Sequence, residues 1–107
     1  MIIVAGSFTL APQDRDAFLR SREAAMRTSR AEPGCIEYVC SADPIDEARV
    51  VLFERWEDKA SLAAHLATMR AARPPGETRP TTPSPAVTVL ASEIAQYEIA
   101  ATGPVGS

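Results

Sequence analysis

The chain has 107 residues, of which 46% are hydrophobic and 23% charged, with a formal net charge of −3. That is a single-domain length with a globular composition. It excludes a membrane-spanning helix, which needs about 20 apolar residues in a row, and disfavours a binder of the nucleic-acid phosphate backbone. Nine prolines stand against five glycines.

In chain order, residues 2–10 read as a strand. Ile2, Val4, Phe8 and Leu10 make one strongly apolar face, and Ile3, Ala5, Ser7 and Thr9 a smaller, mixed one. This opening has no basic region and runs straight into strand pattern, unlike a secretory signal. Pro12 suits the start of a helix, with Asp14 and Asp16 in its first turn. The helix runs to about Glu32, with Phe18, Leu19, Ala25 and Met26 on one face. Pro33-Gly34 ends it.

Residues 35–42 form a second strand, with Ile36, Tyr38 and Cys40 on one face and Cys35, Glu37 and Val39 on the other. A turn at residues 43–47 leads into a third strand, 48–56, so an antiparallel hairpin is expected. Asp58 or a neighbour caps a second helix, about 58–72, whose apolar stripe holds Leu62, His65, Leu66 and Met69. Residues 86–100 return to strand character, and 101–107 form a tail. Between the second helix and the last strand lie Pro74, Pro75, Pro80, Pro83 and Pro85. Proline at this density argues against a regular helix there and for an extended lid or a connector to a partner.

The order β-α-β-β-α-β is the ferredoxin-like plan: an α+β domain over residues 1–100 with one antiparallel sheet and two helices on one face. Its second and third strands carry apolar residues on both faces, and two helices cover only one. A homodimer with sheets meeting face to face is therefore expected. Cys35 and Cys40 point to opposite faces in a regular strand, so they are expected to be two reduced thiols of a cytoplasmic protein. One histidine in the whole chain leaves no metal ligand set.

The run Glu32-Pro33-Gly34-Cys35-Ile36-Glu37-Tyr38 resembles a junction of the antibiotic biosynthesis monooxygenase family. So do Asp43-Pro44, Phe53-Glu54-Arg55-Trp56-Glu57-Asp58 and Ala60-Ser61-Leu62-Ala63-Ala64-His65-Leu66. The resemblance covers roughly residues 2–70. It implies a dimeric α+β barrel whose last strand reaches toward the partner's sheet. It also implies a monooxygenase that oxidises a quinol-like or polycyclic phenolic substrate with molecular oxygen and uses no metal, haem or flavin. Haem degradation, also found in the family, would need an axial histidine far along the second helix and an asparagine on the first strand. Here His65 comes early, and the first strand carries Ser7 instead.

Each candidate site residue has a bland reading beside the functional one. His65 either accepts a phenolic proton or is a structural histidine bound to backbone. Many relatives carry a second histidine a turn later, where this chain has Met69 and Arg70. Trp56 either stacks on an aromatic substrate or anchors the core between sheet and helix. Tyr38 either bonds a quinol oxygen or forms a cross-strand pair. Glu54 lies on the apolar face of Leu52 and Trp56, so it is either raised in pKa, a candidate base, or held in an ion pair. Arg22 either attracts a substrate anion, pairs with Glu54 or Glu37, or reaches to the edge of its face. Phe53 and Ser7 are a candidate substrate wall and a candidate gap, or plain strand packing. The alternative function is a non-catalytic dimeric domain of the same fold that binds a small molecule or another protein.

Overall fold

The computed structural model describes residues 1–72 and 87–106. The proline-rich stretch 74–85, with its expected lid, lies outside the described residues.

Strand β1 (Ile2–Leu10) leads through a short 3-10 turn, Pro12–Asp14, into helix α1 (Arg15–Arg30). Strands β2 (Cys35–Ala42) and β3 (Arg49–Trp56) follow, then helix α2 (Lys59–Ala71) and strand β4 (Val89–Glu98). The strands form one sheet in the order β2-β3-β1-β4, with every pair antiparallel. This is the ferredoxin-like α+β arrangement. β1 pairs with β3 on one side and with β4 on the other. The expected last strand, 86–100, is shorter than predicted at both ends.

Alternation decides which side chains meet the helices. On β3, Val50, Leu52, Glu54 and Trp56 are buried, and the residues between them are half-buried. On β1, Ile2 and Leu10 are buried, and Val4 and Phe8 pack against the same core. Phe8 meets Phe18 of α1 with ring centroids 5.2 Å apart. Met26 Sδ accepts from the Cys40 backbone N–H at 3.3 Å, and Arg30 Nε donates to the Tyr38 carbonyl at 2.8 Å. Both contacts seat α1 on β2. The expected stripe of α2 is narrower than its pattern: Leu62 and His65 are buried, Met69 is half-buried, and Leu66 is exposed.

Two local features matter beyond simple alternation. The β2–β3 register shifts between Cys35 and Glu37, so Cys35 stands opposite Trp56 while Glu37 stands opposite Arg55. Directly paired residues share a face, so this bulge at Ile36 turns Cys35 toward the core, against the expectation that Cys35 and Cys40 point apart. Both are free thiols. At Gly6 a Cβ would lie 2.0 Å from the Glu93 carbonyl oxygen. β1 and β4 approach there as only a glycine permits.

The β2–β3 turn is held by side chains. Asp43 Oδ1 accepts from the N–H groups of Ile45 and Asp46, and Oδ2 accepts from Arg49 at 2.8 Å. These bonds pull the Asp43 pKa down to about 2. Arg15 Nη1 donates to the carbonyls of Asp43 and Asp46, tying the turn to α1.

Candidate functional site

Five of the seven candidate residues meet between the sheet and the helices. Tyr38 of β2 stands opposite Glu54 of β3 in the register. Trp56 is two residues on, on the same face. His65 comes down from α2 over them, and Arg22 from α1.

His65 is 2% exposed and Trp56 0%. The imidazole lies against the Trp56 rings with centroids 4.7 Å apart and planes at 35°, and 5.6 Å from the Tyr38 ring. Its Nδ1 is 2.6 Å from Glu32 Oε1, in the α1–β2 junction. The Trp56 indole Nε1–H donates to Glu54 Oε1 at 2.9 Å. Glu54 thus finds its partner in an indole rather than in the ion pair that its sequence position suggested. Burial pushes the Glu54 carboxyl above its usual range, while the indole bond and the nearby His65 and Arg22 pull the other way.

Arg22 Nη2 is 3.4 Å from the Tyr38 hydroxyl. That hydroxyl, not Glu54 or Glu37, is its hydrogen-bond partner, and Glu37 is bonded by Arg55 at 3.0 Å. Arg22 Nε is buried with no hydrogen-bond partner. An orphaned donor of this kind costs about 1–3 kcal/mol unless something occupies it. Burial and the Glu54 charge raise the Tyr38 pKa, and the Arg22 guanidinium opposes them.

Ser7 and Phe53 stand elsewhere. In the register Ser7 opposes Val51, and Phe53 opposes Ala5 and Val39, all on the face of the sheet away from the helices. Ser7 borders an open depression of about 300 Å³ there, with Arg49, Glu93 and Tyr97. A second open depression, of about 360 Å³, lies on the helix side between the α1–β2 junction and α2, and His65, Glu32, Asp58 and Ser61 line it.

Glu32 is the residue that sequence reasoning left out of the site. Its signal was its place at the head of Glu32-Pro33-Gly34. Asp58, expected as a cap, does accept from the Ser61 N–H at 2.8 Å. Among the described residues no group of three or more His, Cys, Asp or Glu stands where it could hold a metal ion. No described helix is long and apolar enough to cross a membrane.

Comparison with known proteins agrees with this architecture. A 67-residue stretch is 33% identical to an uncharacterized protein of Synechocystis, sll1783, and covers 63% of this chain and 46% of that one. A 68-residue stretch is 29% identical to "Putative monooxygenase YcnE" of Bacillus subtilis, covering 64% and 72% respectively. The chain thus spans just under half the length of the Synechocystis relative. Among solved structures, PA3566 of Pseudomonas aeruginosa superposes with a TM-score of 0.69 at 27% identity, over 94% of each chain. A Deinococcus radiodurans structure titled as a putative antibiotic biosynthesis monooxygenase reaches 0.72 at 17% identity over the whole of both chains, a likeness of fold. The sequence model of the antibiotic biosynthesis monooxygenases matches residues 1–73, and the chain belongs to that family.

Proposed function

We propose that this protein is a monooxygenase that oxidises a quinol-like or polycyclic phenolic substrate with O2, without metal, haem or flavin, and that it works as a homodimer. The observation that supports this most is the single imidazole of the chain, His65, buried among the Trp56 and Tyr38 rings next to a buried carboxyl. In this reading the substrate is its own reductant. His65 accepts the phenolic proton, and the electron-rich anion reacts with O2 to give a peroxy adduct. One oxygen atom stays in the product and the other leaves as water. Arg22, with its unpartnered Nε, offsets the anion's charge, and the Trp56 and Tyr38 rings form apolar walls. Glu54, which burial makes a more reluctant acid, returns a proton to the departing oxygen. Ser7 and Phe53 belong to the face that meets the second copy.

The test is oxygen uptake with a panel of hydroquinones and anthrols. Uptake above autoxidation is expected, with a loss of about 100-fold in His65→Ala. Equal rates in that variant would remove His65 from the mechanism. A second reading, a non-catalytic dimeric domain, is favoured by the near-complete burial of Trp56 and His65, which suits a packed core. No uptake across the panel would select it.

A further inference from the structure

We propose that Glu32 is a positioning residue that holds the single imidazole of this chain as its Nδ1–H tautomer, leaving Nε2 as the ring's only proton acceptor. The two atoms are 2.6 Å apart, and the Glu32 carboxylate is shielded, its side chain being 18% exposed. An ionised carboxylate can only accept, so the proton in this contact belongs to Nδ1. A neutral imidazole carries one N–H, and Nε2 is then bare.

The local sequence explains how Glu32 reaches a ring 33 residues away. Gly34 has φ +83°, which glycine adopts without strain, and its carbonyl accepts from the Glu57 N–H at 2.9 Å. A Cβ on Gly34 would lie 2.0 Å from Ser61 Oγ, so the α1–β2 junction presses directly on the first turn of α2. Asp58 fixes that turn by capping the Ser61 N–H. His65 is one helical turn beyond Ser61, on the same side of α2. Glu32, two residues before Gly34, is carried to it. The Glu32-Pro33-Gly34 junction and the Asp58-to-His65 stretch therefore act as one device. The junction's glycine allows the close approach, and its glutamate uses that approach to orient the base.

The tautomer stands on this geometry alone, while its consequence for turnover rests on the monooxygenase reading. One histidine gives one imidazole signal, so long-range ¹H–¹⁵N spectra of the whole protein report the ring without ambiguity. Wherever the ring is neutral, protonation on Nδ1 is expected. A ring protonated on Nε2, or doubly protonated throughout, overturns the proposal. Glu32→Gln keeps a carbonyl acceptor and should keep the tautomer. Glu32→Ala should shift it to Nε2–H, and a ring that stays Nδ1–H in that variant assigns the hold to another group and overturns the role of Glu32. Should the alanine variant fail to fold, the wild-type spectrum still decides. In oxygen uptake, Glu32→Ala is expected to lower kcat about tenfold with little change in KM, and Glu32→Gln to recover most of it. An Nδ1–H ring in a protein with no uptake would sink the monooxygenase reading and leave the tautomer standing. Uptake from an Nε2–H ring would do the reverse.

Discussion

Strands β3 and β4 flank the same neighbour, β1, and share its antiparallel pairing, yet they live in different solvents. Every second residue of β3 is buried and the rest are half-buried. On β4 only Val89 is even half-buried, and Leu90, Ile94 and Tyr97 are 64%, 39% and 52% exposed. The two strands have similar apolar content. What differs is position: β3 lies inside the sheet under α2, whereas β4 is an edge that neither α1 nor α2 covers. The candidate site residues Glu54 and Trp56 sit on the strand whose surroundings this one chain fixes. The apolar groups of β4 are left for something outside the described residues, and in our proposal that is a second copy.

The largest effect that would test this contrast is Trp56→Ala. It removes the largest fully buried side chain of β3 and leaves Glu54 Oε1 without its indole donor, so a loss of about 3–5 kcal/mol in urea unfolding is expected. Gly6→Ala attacks the β1–β4 side instead. The added methyl would overlap the Glu93 carbonyl, costing about 2–3 kcal/mol. Amide exchange should then rise along β4 before β3.

Glu54→Gln sharpens the β3 side through pH. Burial raises the Glu54 pKa above its ordinary 4.5, so folding favours the protonated carboxyl. That stability is present in full below the unfolded pKa and is lost as pH rises through the folded one. Glutamine has no charge to form, so the variant should gain on the parent as pH increases from about 4 to 8. A constant difference across that range would mean that Glu54 is better solvated than its burial implies. The smallest effect expected is on β4. Ile94→Lys should change the stability of the single chain by no more than about 0.5 kcal/mol, while weakening self-association in sedimentation. A clean monomer of the parent at micromolar concentration would remove the second copy from the comparison. A cost as large as that of Trp56→Ala would show that β4 is covered in solution.

Much of the fold was legible because it is written in short-range signals. The bounds of β1 and β2 match the alternation of their residues. Pro33-Gly34 marks the end of α1, and Asp58 caps α2 where expected. The site was legible in part. Periodicity put Glu54 and Trp56 on one face of their strand and His65 on the apolar stripe of α2, but with apolar residues on both sheet faces it did not say which face turns inward. The turn of Cys35 toward the core could not be read, because one extra residue at Ile36 inverts the face without changing the pattern around it. Nor could the partner of Glu54, since an indole two residues along the same strand gives no sequence signal.

The sequence by itself determined the elements and their order, and which residues share a face of each regular strand. Backbone preferences and side-chain periodicity act over a few residues and survive without a partner. Only the tertiary structure decided that Glu32 meets His65, that Arg22 stands over Tyr38 with its Nε unpaired, and that Ser7 and Phe53 fall on the opposite face from the imidazole. Such contacts depend on how closely two elements approach. Here that distance is set by the packing of Gly34 on Ser61 and by the register of four strands, which no local pattern encodes.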